Sequence, residues 1–205
     1  MTRLLLIRHG LTEYNLQNLI QGSLETTLVE HGMHQAQDLA RRLRDEKINA
    51  IYSSDMTRAV MTAKAVLKYH PNLKLKTFAE LQERHFGEFE GVHYKAAKRK
   101  EPRLLAQINY TDMDYVPKGG ESWTHVQERA MKVINKLLKM HPEDTIAVVA
   151  HGGTNRVILA SLIGLPLDRV AVFKQNNACV NVIDIKDKKV RIVLLNDTDH
   201  TISEY

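Results

Sequence analysis

Along this chain, short unbroken apolar runs alternate with longer stretches in which apolar residues recur every three or four positions. Leu4-Leu5-Leu6-Ile7 and Ile146-Ala147-Val148-Val149-Ala150 are of the first kind, with the length and aliphatic content of strands buried on both faces. Ile48-Asn49-Ala50-Ile51-Tyr52 and Leu73 to Phe78 read as further strands, followed late in the chain by Val180 to Ile185 and Val190 to Leu195. Leu28, Ala36, Leu39, Ala40 and Leu43 form one apolar stripe, which predicts a helix entered through Thr27-Leu28-Val29-Glu30, the spacing of a capping box. Ser53-Ser54 leads into a second helix with Met56, Ala59, Val60, Ala63 and Leu67 on one face, and Arg58 falls in its first turn. A third helix follows Gly119-Gly120-Glu121-Ser122, striped by Val126, Ala130, Val133, Ile134 and Leu137; a fourth is expected from about Asn155 to Leu162. Strands alternating with helices predict an α/β fold, a three-layer α/β/α sandwich around a mainly parallel central sheet.

Both long apolar runs end on histidine: one enters Arg8-His9-Gly10, the other His151-Gly152-Gly153. In an open α/β sheet the carboxyl ends of parallel strands form the ligand crevice, so these two points converge although they lie far apart in sequence. Arg58, at the start of a helix that leaves a strand, belongs to the same rim, where a helix N-terminus favours anions. Two arginines and two histidines suit a phosphoryl group. Arginine offers a permanent charge and a planar fork for phosphate oxygens, and neutral imidazole adds a lone pair able to attack phosphorus. A lone histidine is more often a satisfied buried polar residue; here both are followed by glycine, which permits close backbone approach to a ligand.

Length and composition narrow the classes without changing this picture. The 205 residues suffice for one domain spanning 1–205, with 43% apolar and 26% charged residues. No run resembles a transmembrane span or secretory signal, so no membrane partner is expected. The single cysteine, Cys179, lies in Ala178-Cys179-Val180; it reads as core and suits a reducing cytoplasm. The net charge of +5 owes much to Lys95-Ala96-Ala97-Lys98-Arg99-Lys100-Glu101-Pro102-Arg103, which has no interleaved aromatics. A solvated helix face accounts for it better than a nucleic-acid partner, and its charge would steer anionic substrates.

Further motifs accompany the two histidines in a fixed order: Arg8-His9-Gly10-Leu11-Thr12-Glu13-Tyr14-Asn15, Gln21-Gly22, Ser53-Ser54 with Arg58-Ala59 and Thr62-Ala63, Glu83-Arg84-His85-Phe86-Gly87, Glu90-Gly91, Gly119-Gly120-Glu121-Ser122 and His151-Gly152-Gly153. In this combination the chain resembles the histidine phosphatase superfamily, the phosphoglycerate-mutase-like family, over nearly its whole length. The resemblance implies that His9 is the nucleophile that becomes phosphohistidine, and that Arg8, Arg58 and His151 surround the phosphate. Asn15 matches a phosphate-pocket position, Gln21 and Gly22 match the substrate entrance, and the Gly152 backbone contributes a donor. Glu83 matches the general acid that protonates the leaving alcohol and then activates water.

The implied reaction is hydrolysis of a small phosphorylated metabolite with no metal or other cofactor, by a monomer or homodimer. The alternatives are a cofactor-dependent phosphoglycerate mutase and a non-catalytic phospholigand-binding protein. The segment between Glu83 and His151 is shorter than the mutases' covering insertion, and His151-Gly152-Gly153 is the more phosphatase-like form. Of the neighbouring residues, Glu88 and Glu90 compete with Glu83 for the acid role, and Arg84 reads as a surface or supporting ion pair. Ser122 is a helix N-cap near the substrate rim, His200 lies in a tail able to approach the pocket, and Trp123 and Tyr14 read as packing. His31 and His34 lack partners that would complete a metal site. Leu11 stands where an acidic residue is common in the family.

Overall fold

The computed structural model describes residues 1–100, 112–187 and 189–201, and for 98–100 the backbone only. Strands β1 (Thr2–Arg8), β2 (Ala50–Ser54), β3 (Leu75–Phe78), β4 (Thr145–Ala150), β5 (Val180–Lys186) and β6 (Lys189–Asp197) form one sheet in the order β3-β2-β4-β1-β5-β6. The first four run parallel to one another, while β5 and β6 are antiparallel to their neighbours. The sheet is therefore mixed, with its parallel part carrying the crossover helices, as expected for an α/β sandwich.

Helices α1 (Glu13–Leu16), α2 (Glu30–Leu43), α3 (Thr57–Leu67), α4 (Tyr94–Lys100), α5 (Trp123–Met140) and α6 (Gly152–Ile163) account for the α-helical segments among the described residues. Alternate strand residues face opposite layers. Leu5, Ile7, Ala147 and Val149 pack with the stripe of α2 and with Ala59, Ala63 and Val66 of α3. On the other face Leu4, Leu6, Ile146 and Val148 pack with Val126, Ala130, Val133 and Leu137 of α5 and Val157 and Ile158 of α6. Cys179 is buried, as its apolar neighbours imply. No described helix is long and apolar enough to cross a membrane.

The helix starts depart from expectation in instructive ways. Glu30 begins α2, but its N-cap is Val29 and no side chain caps it, so the Thr27–Glu30 box does not form. Leu28 is drawn into the core and bridges Thr12, which keeps the chain extended through Val29. A box forms instead at α1, where Thr12 and Asn15 cap reciprocally. Ser53 and Ser54 are the last residues of β2 rather than a cap, although Ser54 Oγ accepts from the Met56 N–H (3.3 Å). Ser122 does cap α5, accepting from the His125 N–H at 3.0 Å. Helix α6 begins at Gly152, three residues earlier than the apolar pattern shows, with His151 as its N-cap. Lys95 is exposed on α4; the basic side chains from Lys98 to Arg103 lie outside the described residues.

Candidate active site

The pairing of β1 with β4 sets Arg8 opposite Ala150, so the next residues, His9 and His151, leave the sheet side by side. Their rings lie 5.2 Å apart, centroid to centroid. The His9 backbone is held at both ends: its N–H donates to Ala150 O and its carbonyl accepts from the Ala178 N–H, each at 3.1 Å. His9 Nδ1 lies 2.7 Å from Gly10 O. A carbonyl only accepts, so Nδ1 carries the hydrogen and Nε2 keeps its lone pair. Burial, then the Arg58 and Arg8 charges, hold the His9 imidazole well below its usual pKa. His151 is buried, and neither of its ring nitrogens has a hydrogen-bond partner among the described residues. Burial comes first in lowering its pKa too, followed by Arg58, His9, Arg129 and Arg8. Both rings are neutral near pH 7.

Arg58 is wholly buried beside them, at the N-terminus of α3. It donates to Gly22 O through Nη2 and Leu24 O through Nη1, both at 2.8 Å. The Gln21 amide oxygen faces the same guanidinium, 2.5 Å from Nε and 2.9 Å from Nη1, while the amide nitrogen donates to Thr12 Oγ1 at 2.7 Å. Burial lowers the Arg58 pKa to about 10, which leaves it charged at neutral pH. Gly22 adopts φ +53°, and a Cβ there would collide with the Glu90 carboxylate, so glycine is what lets this carbonyl reach Arg58. Arg8 is anchored from the other side by Nη1 donating to Gln175 O at 2.6 Å. Asn15 Oδ1 accepts from Thr12 Oγ1 and Asn177 Nδ2, both at 3.0 Å.

Glu83 approaches from the loop after β3 and meets the N-terminus of α6. Its Oε2 accepts from the Gly153 N–H at 2.8 Å, and Oε1 accepts from the N–H groups of Thr154 and Arg84, both at 3.1 Å. Gly153 has no room for a side chain, since a Cβ would overlap both the Trp123 ring and Glu83. Arg129 of α5 fixes the loop by donating to the carbonyls of Glu80, Gln82 and Glu83, and it is itself paired with Glu121.

These residues surround a cavity of about 210 Å³. Of the residues expected from sequence, Arg8, His9, Asn15, Gln21, Gly22, Arg58 and Glu83 line it. His151 and Gly152 do not; His151 lies against His9, and Gly153 takes the lining position. Glu88 and Glu90 also stay out of the cavity, with Glu90 engaged by the Ser23 and Phe86 N–H groups at 2.7 and 3.0 Å. Arg84 is not at the surface: it is wholly buried, donates to the carbonyls of Glu121 and Tyr115, and lies over the rings of Phe86 and Trp123. Aromatic faces and carbonyls together make that burial tolerable for a guanidinium. His200 reaches Ala178 O (3.1 Å), behind the His9 loop, and does not line the cavity. Among the described residues no His, Cys, Asp or Glu cluster could hold a metal, His31 and His34 included.

Sequence reasoning missed Arg129 and Asn177, whose bonds go largely to backbone carbonyls and leave no spacing pattern. It also missed Leu19, Ile20, Phe86, Tyr94 and Arg156 as cavity walls and placed Trp123 only as packing. Arg156 did leave a signal, since it follows Gly153 by three residues, one turn along the same helix face.

Comparison with known proteins identifies the family. The family model "Histidine phosphatase superfamily (branch 1)" matches residues 4–198. The metal-independent phosphoserine phosphatase of Arabidopsis thaliana is 34% identical over 204 residues, covering 98% of this chain and 84% of that protein. The adenosylcobalamin/alpha-ribazole phosphatase of Escherichia coli is 30% identical over 194 residues, 95% of each chain. Among solved structures, Bacillus stearothermophilus YhfR superposes with a TM-score of 0.89 at 26% identity, covering 98% of this chain and all of that one. With the strand-end histidines, the buried arginines and the whole length in register, the chain belongs to the histidine phosphatase superfamily.

Proposed function

We propose that His9, Glu83 and His151, with Arg8, Arg58 and Asn15, carry out the phosphomonoester hydrolysis of this phosphatase in two half-reactions. In the first, His9 Nε2 attacks phosphorus and the ester P–O bond breaks, while a proton from Glu83 passes to the leaving alkoxide. In the second, Glu83 takes a proton from water, the water oxygen attacks phosphorus, and the P–N bond breaks to release phosphate and restore His9. Arg8 and Arg58 face the phosphoryl oxygens, where fixed donors in a water-poor site act most strongly on spreading charge. His151, neutral beside them, already carries one N–H and donates it to a phosphoryl oxygen. Oε2 accepts a single bond among the described residues, which makes it the oxygen with room for the transferred proton.

The observation that carries the assignment is His9 itself: a buried imidazole locked by Gly10 O in the tautomer that leaves Nε2 basic, between two guanidiniums. The reading extends to a small phosphorylated metabolite as substrate, to catalysis without metal, and to a cytoplasmic monomer or homodimer without nucleic-acid or membrane partners. The buried thiol of Cys179, the arginine-borne charge of the site and the metal-independent relative support it. The test is brief reaction with ³²P-labelled phosphomonoester in excess EDTA. It should leave acid-labile, base-stable label on the protein, and His9→Ala should abolish it. Label that persists in His9→Ala removes His9 from the role, and loss of turnover with EDTA restored by a divalent ion removes metal independence.

A further inference from the structure

We propose that Arg129, paired with Glu121, is the positioning residue of the general acid: together they aim the Glu83 carboxyl at the ester oxygen without touching the substrate. The proposal rests on the phosphatase reading above, with Glu83 as its acid. It gives the motif Gly119-Gly120-Glu121-Ser122 a part in catalysis beyond the Ser122 cap of α5.

Glu83 sits on the irregular segment 82–86, between single 3₁₀ turns at Ala79–Leu81 and Gly87–Phe89. No helix or strand ladder fixes its backbone, so the carboxyl is aimed only as well as that segment is held. Arg129 of α5 supplies the hold, and its guanidinium has five N–H groups for five acceptors. Nη1 donates to Glu80 O at 2.7 Å and Gln82 O at 2.8 Å. Nη2 donates to Glu83 O at 3.2 Å and Glu121 Oε1 at 2.6 Å, and Nε donates to Glu121 Oε2 at 3.0 Å. A planar fork fixes these acceptors relative to one another, which the rotating donors of an ammonium do not. Glu121 completes the arrangement from the other side of the segment: its N–H donates to His85 O at 2.9 Å, and its Oε1 accepts from the His85 N–H at 3.1 Å. Here two stretches of backbone touch. A Cβ on Gly120 would overlap His85 O, and one on Gly87 would overlap Lys118 O, so glycine at both points is what admits Glu121 to this place. Main chain and side chain of Glu83 are thus held separately, the first by Arg129 and the second by the N–H groups of Gly153 and Thr154. Arg129 does not line the cavity, although its charge reaches the His151 ring.

The experiment uses two substrates of nearly one shape: phenyl phosphate, whose leaving group needs a proton, and p-nitrophenyl phosphate, whose leaving group needs little. Arg129→Lys and Arg129→Met should each lower kcat/KM on phenyl phosphate by roughly tenfold or more, and on p-nitrophenyl phosphate by only a few fold. The lysine variant keeps the charge that reaches His151, so its loss reports geometry. Glu121→Gln should give the same pattern more weakly. In a Glu83→Gln background the Arg129 changes should remove less than about threefold more, because the acid they position is already gone. Equal losses on the two substrates, losses that multiply fully with that of Glu83→Gln, near-normal rates in folded Arg129 variants, or failure of all three variants to fold would each overturn the inference. The phosphatase reading stands through all four as long as Glu83→Gln keeps its own dependence on the leaving group. Equal losses in Glu83→Gln itself, or no turnover of either substrate by the wild type, would overturn both.

Discussion

Two neutral histidines buried side by side should make this protein lose stability as pH falls through the range where free histidine titrates. His9 and His151 both have their pKa values held well below the ordinary 6.5, chiefly by burial and then by neighbouring positive charge. Below about pH 6.5 the unfolded chain takes up a proton at each site and the native protein does not, so unfolding is favoured. The contribution of this neutral pair is whole above about pH 6.5 and declines as pH falls towards the native pKa values. At about pH 5.5 each histidine costs roughly 1.4 kcal/mol relative to about pH 8, and the pair about 2.8 kcal/mol. That is a large part of a typical net stability of about 5–15 kcal/mol. Urea unfolding at the two pH values, in the wild type and in a His9→Asn/His151→Asn variant, isolates the term. His200, whose pKa is also lowered, is present in both proteins and cancels. Asp184, held low by Arg3, loses its contribution only near and below about pH 3.9, outside the window. The wild type should lose about 3 kcal/mol more than the variant between the two pH values. Parallel losses would refute the neutral, buried state of the pair.

Glu83→Gln should lower kcat on alkyl phosphates by on the order of 10²–10⁴, and much less on p-nitrophenyl phosphate, whose leaving group needs little protonation. Equal losses on both would assign Glu83 a structural role. In Arg58→Lys one ammonium cannot serve Gly22 O, Leu24 O, Gln21 and a phosphoryl oxygen together, so kcat/KM should fall roughly 10–100-fold despite the retained charge; a folded variant with near-normal kcat/KM would place Arg58 outside the phosphate contact. Gly153→Ala drives a methyl group into Trp123 and Glu83 and should depress kcat with alkyl phosphates while inorganic phosphate still inhibits; unchanged kcat would show that the Glu83 position is not critical.

The fold was legible wherever one physical signal dominated. Leu4–Ile7 and Ile146–Ala150 are buried on both faces, and such strands write themselves as continuous apolar runs. Helix starts were less legible because tertiary packing set them: Leu28 had the right spacing for a cap motif at Thr27, yet its burial and its bridge to Thr12 decide the path. The early start of α6 was hidden because Gly152, Gly153 and Thr154 are helical there by position, with Glu83 accepting the free N–H groups of Gly153 and Thr154, and not by propensity. Seven of the nine expected site residues line the cavity, since His9, Glu83 and the arginines carry chemistry that motif order exposes. The burial of Arg84 was hidden for the opposite reason. Its partners include two carbonyls and two aromatic faces, none of which is marked by a local pattern.

The two ends of the site are held by different means, and this bears on what can vary among relatives. The phosphoryl end is built from strand ends and buried guanidiniums: His9 is fixed by Ala150 and Ala178, and Arg58 by the carbonyls of Gly22 and Leu24. Replacing Arg58 leaves the buried carbonyls of Gly22 and Leu24 without their donor, at a cost of about 1–3 kcal/mol. The leaving-group end is instead a wall of loop and helix side chains, Leu19, Ile20, Phe86, Tyr94 and Arg156, that the sheet does not constrain. Glu83 joins the two, tied to α6 by Gly153 and Thr154 and to α5 through Arg129. A fixed phosphoryl end with an adaptable wall would let phosphatases named for different substrates share one scaffold. It also means that substrate preference in this chain should follow substitutions at Arg156 and its neighbours, while substitutions at Arg8, His9 or Arg58 should lower turnover of every substrate alike.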